Sequence, residues 1–255
     1  MTETITSPDN EKLKLVRKLA DARGRGKHGL FATEGEDLLE AGIAAGREPE
    51  FVLAAAGVEA GGARVIAVDA QLLDGISALG SGTRVIAVWP LPAEVAVDPG
   101  NGCVYLDAVA DPGNVGTIVR SAAALTGAQV VLGPDCADPY SPKALRASMG
   151  AVLARPPARA AIEATPAPRL ALQTRGAPGL DAEIERLAPA TLVFGAEREG
   201  VGERALAVCD GTATIPLQPG AESLNVAATA AIALHRISSA AAPGPGATSA
   251  SAGGS

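Results

Sequence analysis

Three short stretches in this chain carry polar side chains that could hold a ligand and perform chemistry. The first reads NVGTIVR from Asn114 to Arg120, the second reads GAEREG from Gly195, and the third reads SLNV from Ser223. Each comes after an apolar run, the third one after an intervening polar loop, so we expect each to lie beyond the carboxyl end of a strand, where open α/β sheets bind ligands. Together they offer amide, guanidinium, carboxylate and hydroxyl groups, which can orient a nucleophile and stabilise developing charge.

The first stretch does not match the common nucleotide-binding loops, because neither G-x-G-x-x-G nor G-K-[ST] is present. A nucleotide-dependent dehydrogenase would share the α/β pattern but lacks its glycine fingerprint here. Asn114 is placed to cap the helix that follows. Arg120 lies about two turns further on, among apolar residues, although a single helical arginine is usually a surface group. Glu197 is either a ligand-facing carboxylate or a loop carboxylate in water.

The third stretch predicts a strand, a loop and a capped helix. Ala213–Ile215 is the predicted strand, and Pro216 would end it because proline has no N–H for the sheet ladder. Ser223 precedes a long Ala-rich run and is the predicted N-cap of a helix over Asn225–Ile237. In the second stretch, Gly195 would let a ligand approach the backbone closely.

The C-terminal part of the chain alternates strand and helix signals, which predicts a parallel sheet covered on both faces. Physical rules alone predict an unknotted chain, because true knots are very rare. The predicted strands are Val104–Leu106, Gln129–Leu132, Leu170–Gln173, Leu192–Phe194 and Ala213–Ile215. The predicted helices are Val115–Leu125, Pro142–Met149, Asp181–Leu187 and Asn225–Ile237.

A basic segment lies near the start of the chain. From Glu11 to His28 the sequence has seven basic and two acidic residues, whereas the whole chain has a net charge of −7. Asn10–Ala22 has the apolar spacing of a helix that Ser7 and Pro8 would begin, and the following ARGRGKHG is predicted to be a Gly-broken loop. The charges either face water or contact phosphate groups. The candidate phosphate contacts are Lys14, Arg17, Lys18, Arg23, Arg25 and Lys27.

Further elements are predicted between this segment and residue 101. Leu91–Asn101 is rich in proline and glycine and is the predicted linker. The predicted helices are Glu36–Ala45 and Gln71–Leu79, and the predicted strands are Phe51–Ala54, Arg64–Val68 and Val85–Val88.

Composition restricts the class of protein. The 255 residues, 47% of them hydrophobic, suffice for one large or two ordinary domains, and no uncharged apolar run approaches the roughly 18 residues of a membrane span. Three scattered cysteines and two distant histidines predict a reduced, cytoplasmic protein with no metal site. The polar start does not resemble a signal peptide, and the small-residue tail Ser238–Ser255 is predicted to be disordered.

Taken together, the three stretches resemble the motifs of the SpoU–TrmH (SPOUT) family of RNA ribose 2′-O-methyltransferases. The family patterns N-x-G-x-x-x-R and G-x-E-x-x-G are matched residue for residue, and the third stretch with its preceding IPL is similar to the third motif. The segment KALRASMGAVLARP from Lys143 resembles the family's connection between the first two motifs. The basic N-terminal region is similar to the substrate-binding domain of the two-domain type.

This resemblance implies an α/β fold in which a C-terminal parallel-sheet domain contains a trefoil knot. A small ribosomal-protein-like RNA-binding domain would precede it. The implied boundaries are 1–92 for the RNA-binding domain, 93–101 for the linker, 102–237 for the methyltransferase domain and 238–255 for the tail. The resemblance also implies a homodimer that acts on RNA away from membranes, and the N-terminal domain favours ribosomal RNA over transfer RNA.

The resemblance further implies S-adenosylmethionine as methyl donor, with no metal. Arg120 would act as the base or as a phosphate clamp, and its permanent positive charge argues against the first role. The alternatives are a transfer-RNA 2′-O-methyltransferase and a non-catalytic RNA-binding protein of the same fold. The implied catalytic residues are Asn114, Arg120, Glu197, Ser223 and Asn225. The implied donor-binding residues are Gly195, Gly200, Ile215, Pro216, Leu217 and Leu224.

Overall fold

A computed structural model describes residues 4–58, 64–78, 80 and 82–241, which build two sheets. The first sheet has four strands in the order β1-β4-β2-β3, and we call residues 4–90 the N-terminal unit. Only β2 and β3 pair in parallel. Its strands are β1 Leu30–Glu34, β2 Phe51–Ala55, β3 Val65–Val68 and β4 Val85–Pro90, and its helices are α1 Glu11–Leu19, α2 Ala22–His28, α3 Glu36–Ala44 and α4 Ala70–Asp74.

The second sheet has six strands in the order β10-β8-β9-β5-β6-β7, and we call residues 102–241 the C-terminal unit. All its pairings are parallel, which confirms the predicted sheet type. Its strands are β5 Cys103–Leu106, β6 Gln129–Leu132, β7 Ala158–Arg159, β8 Arg169–Leu172, β9 Thr191–Phe194 and β10 Gly211–Ala213. Its α-helices are α5 Pro112–Leu125, α6 Pro142–Ser148, α7 Ala151–Ala154, α8 Leu180–Leu187, α9 Glu203–Leu206 and α10 Val226–Ala241.

The beginning of the chain differs from the sequence prediction at two points. Asn10, not Ser7, is the N-cap of α1, because its side chain accepts a hydrogen bond of 2.9 Å from the Lys12 N–H. The segment ARGRGKHG is not a loop: it forms α2, whose N-cap Asp21 accepts from the Gly24 N–H at 2.7 Å. A Cβ on Gly24 would overlap the carbonyl of Lys18, so the glycine permits close packing of α2 on α1.

Several predicted boundaries also shift. Strand β10 ends at Ala213, so the predicted strand Ala213–Ile215 begins two residues too late. Helix α4 ends at Asp74, because the chain turns at Gly75 and the Ala78 N–H then donates to the buried Glu34 carboxylate at 2.7 Å. Leu79, the predicted end of that helix, lies outside the described residues. Helix α10 continues to Ala241, so the start of the predicted disordered tail is helical, and residues 242–255 lie outside the described part.

Both units share one cluster of buried apolar side chains. Phe31 and Trp89 of the N-terminal unit belong to the same cluster as Val104, Leu145 and Leu153 of the C-terminal unit. Apolar burial of this kind is the main attraction between packed elements, at about 25 cal/mol per Å². The two sheets are therefore held against each other by packing as well as by the chain that connects them.

Gly116, the glycine of the first motif, lies at the closest approach of α5 to α6. A Cβ at this position would overlap the carbonyl oxygen of Ala144 and come within 2.9 Å of the Ala147 Cβ. Both neighbours belong to the α6 helix, so neither can move aside without shifting the whole helix. The glycine is therefore needed for the helix packing that positions the start of α5.

We predict that Gly116→Ala lowers the free energy of unfolding by about 1–3 kcal/mol, the usual cost of overpacking a tight contact. Gly26→Ala is the matched control, because Gly26 lies in α2 with no atom within 4 Å of its added Cβ. There the helix should gain about 0.5–1 kcal/mol. Urea unfolding followed by circular dichroism measures both. Equal stability of the two variants would contradict the proposed role of Gly116.

Candidate active site

A cavity of about 270 Å³ opens beyond the carboxyl ends of three neighbouring strands, β8, β9 and β10. This is where open parallel sheets bind ligands, and its volume is close to the lower end of the range for small-molecule sites, about 300–1,000 Å³. Residues of the second and third motifs form most of its wall. The lining residues are Leu172, Gln173, Thr174, Phe194, Gly195, Ala196, Glu197, Gly200, Thr214, Ile215, Leu217, Ser223, Leu224, Asn225, Val226 and Thr229.

Five of the six residues implied to hold the donor line this cavity. Pro216 does not; it lies in an adjoining groove that shares Thr174, Thr214, Ile215 and Leu217 with the cavity. Thr174 and its neighbours after β8 also line the cavity and were not predicted from the sequence. The signal that could have found them is the order of the strands, because β8 lies between β9 and β10. The five implied donor-binding residues that line the cavity are Gly195, Gly200, Ile215, Leu217 and Leu224.

Gly195 lets the second motif fold into a tight loop at the cavity wall. Ala196 and Gly200 pair across the loop, with the Gly200 N–H donating to the Ala196 carbonyl at 2.9 Å. Gly200 has a φ of +72°, a left-handed conformation that favours glycine. A Cβ on Gly195 would overlap the Gly200 carbonyl and the Val201 nitrogen. The glycine is therefore needed first for the loop itself.

A chain of side-chain hydrogen bonds joins the three motifs at the edge of the cavity. The Asn225 side-chain NH₂ donates to the Asn114 side-chain oxygen at 3.1 Å. The Asn114 side-chain NH₂ in turn donates to Glu197 Oε1 at 2.8 Å. One residue from each motif therefore takes part, although Asn114 and Asn225 are 111 positions apart in the sequence.

The direction of this chain is fixed by helix α10. Asn225 Oδ1 accepts from the backbone N–H groups of Ala227 and Ala228 at 2.9 and 3.3 Å, so Asn225 is the N-cap of α10. The predicted cap Ser223 is wrong: Ser223 is exposed and lines the cavity two residues before. Since its oxygen faces the helix, Asn225 must present its NH₂ to Asn114. Asn114 must then present its own NH₂ to Glu197.

Asn114 is free to act in this way because another residue caps α5. Asp111, not Asn114, is the N-cap, and its Oδ1 accepts from the Asn114 backbone N–H at 2.9 Å. The other carboxylate oxygen of Asp111 pairs with Lys143 Nζ at 2.6 Å. The Lys143 ammonium lowers the pKa of the Asp111 carboxyl, which keeps this cap anionic. Helix α6, which carries Lys143, thereby helps to position the first turn of α5.

Arg120 does not line the cavity. It lies six residues after Asn114, about 9 Å further along the α5 axis, and its side chain is exposed. In the part of the chain that the structure describes, the guanidinium of Arg120 forms neither an ion pair nor a hydrogen bond. It is therefore available to a large ligand that covers this face of α5.

The candidate phosphate contacts on α1 and α2 fall into two groups. Arg17, Lys18, Arg23 and Lys27 are exposed, whereas Lys14 is partly buried in ion pairs with Asp9 and Glu11. The prediction for Arg25 is wrong. Its side chain is 4% exposed and bound to Asp138, so it cannot reach a phosphate group. Its partner lies 113 residues away, which no local sequence signal indicates.

The described residues contain no group of three or more His, Cys, Asp or Glu side chains arranged to hold a metal ion. Over the same ranges, no helix combines the length and the apolar character needed to cross a membrane.

Known proteins with similar sequences and folds agree with the family resemblance. The family model of the SpoU rRNA Methylase family matches residues 101–235. The 23S rRNA (guanosine(2553)-2′-O)-methyltransferase RlmP of Bacillus subtilis is 31% identical over 91% of this chain and 98% of its own length. A Synechocystis protein described as an uncharacterized tRNA/rRNA methyltransferase is 29% identical over 91% of this chain and 92% of its own length.

Crystal structures extend the likeness to both units. The AdoMet-bound rRNA methyltransferase of Sinorhizobium meliloti has a TM-score of 0.82 and 26% identity, covering 94% of this chain and 99% of that one. AviRb of Streptomyces viridochromogenes, in complex with AdoMet, has the same fold, with a TM-score of 0.80, 24% identity and coverage of 91% and 98%. The resemblance drawn from the motifs is confirmed: the chain belongs to the SpoU rRNA Methylase family.

Proposed function

We propose that the protein transfers a methyl group from S-adenosylmethionine to the 2′-hydroxyl of a ribose in ribosomal RNA. The observation that carries this proposal is the hydrogen-bonded chain Asn225–Asn114–Glu197, which joins the three family motifs at the edge of the cavity. A protein that only bound RNA would have no need of these three side chains in a fixed order beside a small-molecule cavity. The name of RlmP, the relative with 31% identity, describes a 2′-O-methyltransferase of 23S rRNA.

The cavity fits the methyl donor. Its walls combine the apolar side chains of Leu172, Ile215 and Leu224 with backbone groups of the loops after β9 and β10. Such a mixture suits a molecule that has both an aromatic ring and polar ends. We propose that Gly195, Gly200, Ile215, Leu217 and Leu224 hold the donor, with Pro216 shaping the adjoining groove. When bound, the donor supplies a methyl group on a positively charged sulfur.

The three-residue chain would orient the reacting hydroxyl group. Glu197 uses Oε1 to accept from Asn114, and within the described residues its second oxygen has no hydrogen-bond partner. That oxygen is the acceptor available to the O–H of a ribose beside the cavity. It can take the proton that this hydroxyl gives up when its oxygen bonds to the methyl carbon and the methyl–sulfur bond of the donor breaks, which leaves a neutral thioether. Ser223, which is exposed on the cavity wall, can donate or accept at the same place. Fixed groups of this kind can be worth roughly 7–11 kcal/mol through orientation alone.

We propose that Arg120 binds the phosphate beside the target ribose and stabilises the developing oxyanion. A guanidinium group stays protonated in proteins, so it is unsuited to removing a proton. Its exposure on α5, without an intramolecular partner in the described residues, leaves all its N–H donors for RNA.

The substrate side of the proposal rests on the N-terminal unit. Arg17, Lys18, Arg23 and Lys27 expose positive charge on α1 and α2 in a chain whose net charge is −7. Clustered lysine and arginine side chains bind nucleic acid chiefly through phosphates. We take residues 1–92 as the RNA-binding domain, 93–101 as the linker and 102–237 as the methyltransferase domain. We also propose that the protein acts in the cytoplasm. A transfer-RNA substrate is the second candidate, since the Synechocystis relative's name includes both classes.

We also propose a homodimer and the family's trefoil knot in the C-terminal unit. Two large apolar side chains, Leu224 beside the cavity and Ile232 on α10, are 40% and 38% exposed. A second copy that covered both side chains would remove this apolar surface from water, which favours association. Sedimentation equilibrium at micromolar concentration should give twice the chain mass of 25.3 kDa. A monomer under these conditions would contradict the dimer.

We predict that Asn114→Asp reduces methyl transfer by about 10²-fold, the scale of losing one oriented donor in an active site. The new carboxylate would face Glu197 at the present 2.8 Å and repel it instead of donating to it. Asn101→Asp makes the same change at an exposed residue outside the site and should keep the wild-type rate. The measurement is single-turnover transfer from labelled donor to ribosomal RNA. A wild-type rate for Asn114→Asp would remove the chain of hydrogen bonds from the mechanism.

We predict that Arg120→Ala leaves the affinity for S-adenosylmethionine unchanged, because Arg120 does not line the cavity. Methyl transfer should fall by at least about 10²-fold, or about 2.7 kcal/mol of barrier. Arg120→Lys should recover part of the loss if the group binds phosphate as a charge, and none if the planar fork is needed. Arg204→Ala, at an exposed arginine paired with Glu163, is the matched control.

Calorimetric titration with the donor, run beside the transfer assay, also tests the alternative class. A non-catalytic RNA-binding protein would show no affinity for S-adenosylmethionine. Should Arg120→Ala transfer methyl groups as fast as the wild-type protein, this placing of the catalytic centre would be wrong.

A further inference from the structure

We propose that Arg25 is a positioning residue that fixes the RNA-binding helices at a set distance and angle from the methyl-transfer site. This inference rests on the proposed function. It concerns a residue outside the three motifs, in the N-terminal unit, whose side chain contacts the C-terminal unit. The structure supports it through a continuous series of contacts from α2 to α5.

The Arg25 side chain is held by four hydrogen bonds although it lies on a short surface helix. Its Nε and Nη2 donate to Asp138 Oδ2 at 3.0 and 2.6 Å. Its Nη1 donates to the carbonyl oxygens of Leu19 and Ala20, at the end of α1, at 2.8 and 2.9 Å. With a side-chain exposure of 4%, Arg25 ties α1 and α2 to one carboxylate of the C-terminal unit.

Asp138 passes this restraint directly to helix α6. Its second carboxylate oxygen accepts from the Tyr140 backbone N–H at 2.8 Å. Its carbonyl accepts from the N–H of Ser141 at 3.2 Å, and Ser141 is the N-cap of α6. The residue that binds Arg25 therefore also shapes the turn that begins α6.

Helix α6 in turn fixes the first turn of α5. Lys143, one residue after the start of α6, forms the ion pair with Asp111 that caps α5. The tight approach of Gly116 to Ala144 then locks the two helices side by side. Asn114 and Arg120 both lie on α5, so the position of the catalytic groups and the position of α2 are set by the same short helix.

The apolar contacts between the units hold them together without fixing their relative orientation. The rings of Phe31 and Tyr140 lie 5.0 Å apart, and both units share the apolar cluster described above. Apolar contacts are non-directional and tolerate small rotations. The Arg25–Asp138 pair, in which Nε and Nη2 both donate to one carboxylate oxygen, is directional and adds a defined geometry. Arg47, whose Nε donates to the Leu153 carbonyl at 2.5 Å, is a second directional contact at another place on the interface.

A fixed geometry has a consequence for substrate choice. The exposed Arg23 and Lys27 flank Arg25 on α2, so RNA bound there would reach Arg120 at one set offset. An enzyme of this kind selects its ribose by distance from the bound RNA element. Breaking the Arg25–Asp138 pair should keep the phosphate contacts of Arg23 and Lys27 but widen the range of distances between the bound RNA and Arg120.

The test compares the full-length wild-type protein with Arg25→Met, which keeps an unbranched apolar stem as far as the position of Nε and removes all four hydrogen bonds. The probe is deproteinised total ribosomal RNA from a strain that lacks the gene. We expect KM for this RNA to rise at least tenfold, kcat to change less than threefold, and the affinity for S-adenosylmethionine to stay the same. Mapping of 2′-O-methyl groups should show additional modified riboses near the main one.

Three further variants separate positioning from contact. Arg23→Ala combined with Lys27→Ala should lower the slope of log affinity against log salt by up to about 0.9 per lost phosphate contact, whereas Arg25→Met should leave that slope unchanged. Arg84→Met, which breaks an exposed pair with Glu36 at 3.8 Å in the same unit, should behave as the wild-type protein. Arg25→Lys, which keeps the charge and part of the hydrogen bonding, should restore KM in part.

A readout that needs no RNA distinguishes failure of this inference from failure of the proposed function. Hydrogen exchange in Arg25→Met should become at least fivefold faster in residues 91–101 and in α2, and stay unchanged in β9. Unchanged exchange in residues 91–101, or a KM within twofold of wild type in an active enzyme, overturns the positioning role. Faster exchange throughout, β9 included, also overturns it, because Arg25 would then support the fold in general. If the wild-type protein transfers no methyl group to this RNA, the result refutes the proposed function but not the positioning role of Arg25.

Discussion

The side-chain amide of Asn114 is the point on which the arrangement of the site depends. It accepts from Asn225 on one side and donates to Glu197 on the other, so it joins loops that leave three different strands. An amide has one accepting and one donating end, and rotating it would break both contacts. The polarity is imposed from the backbone, because the N-terminus of α10 holds the oxygen of Asn225. Helix α10 thereby decides which group faces the Glu197 carboxylate.

This interaction is possible only because the loops approach one another very closely. Gly195 lets the second motif fold back on Gly200, and Gly116 lets α5 pack tightly on α6. The motif glycines are therefore required for the close packing of these loops and helices. That packing brings the polar motif residues together. Asp111 has a similar supporting part: by capping α5 it releases the Asn114 side chain for the site.

Much of the C-terminal unit was predictable from sequence, because short apolar strands alternate with amphipathic helices. The helix caps were not. Ser7, Asn114 and Ser223 are all good capping residues by type, yet Asn10, Asp111 and Asn225 cap the helices instead. Neighbouring polar residues compete for a cap with nearly equal intrinsic preference, so tertiary contacts decide. The strand order of the second sheet was likewise hidden, and with it the contribution of the loop after β8 to the cavity.

Arg25 and Arg120 show most clearly where local reasoning ends. Both are arginines in helices rich in small residues, and both were candidates for binding RNA. Arg25 is buried and held by four hydrogen bonds, whereas Arg120 is exposed and has no partner among the described residues. The difference comes from Asp138, 113 residues away from Arg25, and from the absence of any comparable carboxylate beside Arg120 in the described structure. A positive charge becomes available to a substrate only where the fold has left it unpaired, so the function of each arginine is decided by long-range packing and not by its own neighbours in sequence.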